Sequence, residues 1–145
     1  MEGGTGLESI PPFVAEGVLV TLPSDFFLTD PDLRNEPTLD RYDSIEMVWV
    51  DPYGQPGGHT FPTGSLFARV RTVSGTTGLA SEIRVIPEDD GDYLFPAEYV
   101  SMLYAGSGRM SLAAGRLGPS FAIPGSNYSS QLSSGLSWEG YFEMR

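Results

Sequence analysis

Glycine and proline punctuate this chain from end to end, 18 and 12 of its 145 residues. Both interrupt helices and central strands, so they cut the chain into short segments. Between them lie runs in which apolar and polar residues alternate, the period of a half-buried strand. In IEMVWV (45–50), Ile45, Met47 and Trp49 share one face. In SLFARVRTV (65–73), Leu66, Ala68 and Val70 face one way, and Arg69 and Arg71 point outward together. EIRVI (82–86) turns Ile83 and Val85 inward, and FVAEGVLVTL (13–22) reads as a first strand or pair. Near the end, Trp138, Phe142 and Met144 alternate with Glu139, Tyr141 and Glu143. DPYGQPGG (51–58) and SGTTG (74–78) are turn clusters. Seven or eight such strands at short spacing predict an all-β fold with little helix, an antiparallel β-sandwich, with a barrel as the alternative. No repeat or linker divides the chain. It reads as one domain over 1–145, with an extended N-terminal segment (1–12) and a Gly/Ser-rich loop or arm (118–135).

Two stretches fit this pattern less well. LRNEPTLDRYD (33–43) reads as loop. PAEYVSMLYAG (96–106) carries helix signals in Pro96, Glu98 and Gly106, yet it also alternates. The expectation is a strand, or a strand with one helical turn.

Composition removes several chemistries. There is no cysteine, hence no disulfide, thiolate metal site or thiol nucleophile. All eight basic residues are arginine, so Walker-type phosphate binding and Schiff-base chemistry lack their lysine. The net charge is −11, and residues 1–51 alone hold eleven acids against Arg34 and Arg41. A chain this acidic repels phosphate backbones, so no direct nucleic-acid partner is expected. No run reaches the ~20 apolar residues of a membrane span, and no membrane partner is expected. MEGGTGLESIPP (1–12) has neither the basic nor the apolar region of a signal peptide.

EDDGDYLF (88–95) concentrates four acids around one glycine. Glu88, Asp90 and Asp92 could offer oxygens to calcium, but the twelve-residue calcium-loop pattern fails here and at DPDLRNEPTLDR (30–41). An acidic turn without metal is expected. Asp89, Gly91 and Tyr93 follow the D-x-G-x-Y spacing, and Trp49 stands 44 residues before Tyr93. Over roughly residues 45–105 the chain thereby resembles immunoglobulin-like domains. Phe95 stands where many of those domains carry a cysteine. The resemblance implies a structural corner at Asp89, Gly91 and Tyr93, with the Tyr93 ring buried and its hydroxyl bonded to nearby backbone.

Catalytic candidates are few. His59 is the only histidine, in GGHTF, and reads as a loop residue. No G-x-S-x-G elbow or dinucleotide loop is present. No catalytic residue, cofactor or metal is therefore expected. The 17 aromatics include Tyr53, Tyr99, Tyr104, Tyr128 and Tyr141 in or near turn regions, a residue type common in interfaces and sugar-binding faces. These features together predict a non-enzymatic assembly protein, a subunit of a phage virion with a capsid-decoration, adaptor or tail role, whose partners are other protein subunits. The alternative is a carbohydrate- or protein-binding β-sandwich module. The expected contacts are Leu7 and Ile10 in the N-terminal segment, Phe121 and Ile123 in the second arm, and Arg69 and Arg71 on the sheet.

Overall fold

The structure is a computed structural model, and it describes residues 24–59, 64–122 and 129–145. Eight strands among these residues form two sheets. The smaller contains β1 (Phe27–Asp30), β3 (Ile45–Val50) and β6 (Asp92–Phe95), in the order β1-β3-β6. The larger contains β2 (Thr38–Leu39), β4 (Gly64–Ser74), β5 (Ala80–Val85), β7 (Gly106–Ala122) and β8 (Ser129–Met144), in the order β2-β8-β7-β4-β5. A 3-10 turn at Leu33–Asn35 and one short helix, α1 (Ala97–Val100), are the only helical pieces among the described residues.

Alternation decides which residues meet. Ile45, Met47 and Trp49 of β3 are buried, as are Leu66, Ala68, Val70 and Thr72 of β4. Met110, Leu112 and Ala114 of β7, with Phe142 and Met144 of β8, close the same core from the large sheet. Phe26, Leu28, Leu33, Phe95, Val100 and Leu103 complete it among the described residues. The inner faces of both sheets thus share one apolar interior.

Three details differ from the sequence expectation. The strands are not all antiparallel, because β2 runs parallel to β8, pairing Thr38 with Glu143 and Leu39 with Met144. β2 lies in the stretch read as loop and has only two residues, too few to show a period. The 96–106 segment forms the single turn α1 and no strand before Gly106. Pro96 stands at its N-cap, and Ser101 N–H donates to the Ala97 carbonyl. Val100 and Leu103, three apart on the turn and the bend after it, plug the core. Finally, 118–122 and 129–135 are not loop but the outer parts of β7 and β8. Ser120 pairs with Gln131, Phe121 with Ser130 and Ala122 with Ser129, beyond a register shift between Leu117 and Ser120. Past Arg116, β7 has no partner on its β4 side among the described residues, where it pairs with β8 as a ribbon. The expected strand at 13–22 lies outside the described residues.

Candidate functional site

The acidic stretch is built into the fold. Trp49 N–H donates to the Gly91 carbonyl at 2.8 Å, and the Trp49 indole N–H reaches Asp89 Oδ1 at 3.4 Å. Gly58 N–H donates to the Asp89 carbonyl at 3.3 Å. The 51–58 turn is itself tied down by Asp51 Oδ1, which accepts from Tyr53 N–H and Gln55 N–H, each at 2.8 Å. The two loops therefore lock together beside the end of β3. Gly91 makes this approach feasible, because its φ is +109° and a β-carbon there would sit 2.3 Å from the Pro56 β-carbon. Asp89 thus serves the corner, while Glu88, Asp90 and Asp92 face solvent. Among the described residues no group of three or more His, Asp or Glu is placed to hold a metal.

Tyr93 differs from the corner expectation. It is half-buried on the edge strand β6, packed edge-on against Phe95 with ring centroids 4.9 Å apart. No hydrogen bond links its hydroxyl to backbone among the described residues. The corner is held by Trp49, Asp89 and two glycines rather than by that hydroxyl.

His59 lies in a loop, as read, but its side chain is buried. It is 1% exposed, with its ring edge-on to Phe26 and its Nδ1 3.1 Å from the Asp25 carbonyl. Nδ1–H donates to that carbonyl, which leaves Nε2 buried without a partner among the described residues. Buried against Phe26 and bonded to the Asp25 carbonyl, this histidine anchors the chain entering β1. Ser24 N–H donates to the His59 carbonyl at 2.9 Å, which fixes the same junction.

The outer face of the large sheet carries the most distinctive chemistry. Register places Glu82, Arg71, Arg109 and Tyr141 in one row across β5, β4, β7 and β8. The next row holds Arg84, Arg69, Ser111 and Glu139. Arg69 and Arg71 lie on the same side of β4. Arg69 lies 4.0 Å from Glu82, Arg84 also binds Glu82, and Arg109 donates to Glu139. Exposed pairs of this kind are each worth about 0–1 kcal/mol, so they organise the face more than they stabilise it. Arg71 is exposed and has no ion-pair partner among the described residues. Arg109 Nε is buried and unpaired among them as well. Four arginines against Glu82 and Glu139 leave these rows at +2 in a chain of −11.

Beside these rows the face turns apolar. A groove of about 670 Å³ is lined by Phe67, Ile86, Ala113, Arg69, Arg84 and Glu139, among others. Phe67 also lines a second groove with Leu117, so the apolar strip runs on toward the ribbon. Phe67 is 50% and Ile86 70% exposed. Of the other expected contact residues, Leu7, Ile10 and Ile123 lie outside the described residues, and the Phe121 backbone lies in the ribbon.

One electrostatic feature can be measured directly. Asp32 accepts from Arg34 Nε at 2.7 Å and Nη2 at 2.8 Å, and also from Arg34 N–H at 3.2 Å. The side-chain bond first, then the backbone bond, lower its pKa from 3.8 to about 2. A lowered carboxyl pKa favours the folded state above pH 3.8, and that contribution fades as pH falls toward 2. The Asp32 carboxyl resonance should titrate near pH 2, and Arg34→Ala should move its midpoint up toward 3.8. A midpoint near 3.8 before substitution would show that the pair does not form in solution.

No family model, curated protein or solved structure matches this chain.

Proposed function

We propose that this protein is a non-enzymatic structural subunit of a larger protein assembly, a component of a phage virion in a decoration, adaptor or tail position. The observation that carries the reading is the outer face of the large sheet. There an exposed strip of Phe67, Ile86 and Leu117 adjoins rows of arginine. Exposed apolar surface rimmed by polar groups marks contact sites, and aromatics and Arg are the residues interfaces favour. The β7–β8 ribbon supports the same reading, because a two-stranded ribbon is marginal alone in water and gains from a neighbour. Within the all-β class we propose an immunoglobulin-like affinity for the β3–β6 pair and its corner, on the D-x-G-x-Y spacing and the buried Trp49. A second reading, a carbohydrate- or protein-binding module, is favoured by the groove volume, which falls in the range of small-ligand sites.

The N-terminal segment is part of this proposal. Residues 1–12 have little core-forming periodicity, and Leu7 and Ile10 are apolar anchors suited to a neighbour. Each such side chain, fully buried, contributes about 1.5–3 kcal/mol. Deleting residues 1–12 should leave a folded protein that assembles poorly, read by circular dichroism and sedimentation velocity. An unfolded product would place the segment in the core, and unimpaired assembly would remove it from the contacts. A full-length protein that stays monomeric yet binds a glycan would favour the second reading.

A further inference from the structure

The two sheets present opposite charge on opposite sides of the molecule. The outer face of the small sheet carries Asp30, Glu46 and Asp92, opposite Val48 and Leu94 in register, and no basic residue lies on its three strands. All three carboxylates are exposed and lack an ion pair among the described residues. Phe27 and Leu94 are exposed among them. The large sheet's outer face carries Arg69, Arg71, Arg84 and Arg109 against Glu82, Glu139 and Glu143, a net charge of +1, beside Phe67 and Ile86. Because both inner faces close on one core, these outer faces point away from each other.

We infer that copies of this chain stack head to tail, the acidic small-sheet face of one on the arginine-rich large-sheet face of the next. The inference rests on the assembly reading above and deepens it by naming the surfaces and the partner, a second copy. Charge complementarity selects that partner. Arg71 is exposed and has no ion-pair partner among the described residues, and guanidinium groups match carboxylates in two-pronged geometry. Phe67 and Ile86 on one side and Phe27 and Leu94 on the other are exposed apolar area that stacking would cover. Joining two different patches is heterologous association, which grows as a ring or an open stack rather than stopping at a two-fold dimer. Exposed charges also attract less as salt rises, so the stack should loosen with ionic strength.

The test uses sedimentation velocity on the full chain at low and high salt, with two charge-reversed proteins. Arg71→Glu with Arg84→Glu alters one face, and Glu46→Arg with Asp92→Arg alters the other. Circular dichroism melts check folding, and the neutral Arg71→Gln with Arg84→Gln protein replaces the first if reversal lowers the melting temperature. The unaltered chain should sediment above 15.7 kDa with mass rising with concentration. Each altered protein alone should self-associate at least tenfold more weakly. An equimolar mixture of the two reversed proteins should recover association, because the unaltered acidic face of the first meets the unaltered arginine face of the second and the two reversed faces meet each other. If the unaltered chain associates but neither alteration weakens it, this pair of surfaces is wrong and the assembly reading stands. If the unaltered chain is monomeric at every concentration, self-stacking is overturned together with homotypic assembly.

Discussion

Trp49→Ala should lower stability by about 4 kcal/mol, within the range for deleting a large buried aromatic. The indole is wholly excluded from water near the end of β3, the central strand of the small sheet. It faces the core formed with the large sheet and sends its N–H toward Asp89. Truncation leaves a void against the large sheet and removes one tie to the corner. Domains of this size are stable by about 5–15 kcal/mol, so the loss approaches the whole in a weak case. Urea unfolding followed by far-UV circular dichroism measures it, since the substitution removes one of only two tryptophan fluorophores. A loss under 1 kcal/mol would mean that Trp49 does not fill the space between the sheets.

Gly91→Ala should be nearly as damaging, at about 3 kcal/mol. Two physical effects combine there: a side chain at positive φ costs about 1–3 kcal/mol, and overpacking costs about as much again. The added carbon would lie 2.3 Å from the Pro56 β-carbon and 3.0 Å from its α-carbon. Gly54→Ala separates the effects. Gly54 also has positive φ, +81°, but a β-carbon there meets nothing within 4 Å. The melting temperature should therefore drop much further for Gly91→Ala than for Gly54→Ala. Equal drops would show that the two loops do not lock.

Period-two alternation made the inner faces legible. It assigned Met47 and Trp49, Leu66 and Val70, and Phe142 and Met144 to the core, because a strand offers only two sides. It also put Arg69 and Arg71 together. Alternation could not reveal what crosses strands. The rows that join Arg71 to Arg109 and Arg69, through Ser111, to Glu139 depend on registers between residues 28 to 42 apart. The corner was legible as a corner, but its fastening was not, since Pro56 and Gly57 lie over 30 residues from Gly91. The burial of His59 was not legible because flanking glycines signal a turn whether or not the next side chain folds inward. The helical turn at 97–100 was ambiguous because four residues satisfy either period.

The order in which the strands leave the ribosome gives the core a further meaning. Ile45, Met47 and Trp49 on β3 are made first, and the β7 and β8 residues that share their core, Met110, Leu112, Phe142 and Met144, about 60 to 100 residues later. At synthesis rates of roughly 5–20 residues per second, that apolar face spends seconds without its cover. β7 and β8 form a local hairpin that can close by itself, so the late-made half supplies a ready template for the waiting early half. The nascent chain is therefore most dependent on chaperone shielding between the appearance of β3 and that of β8.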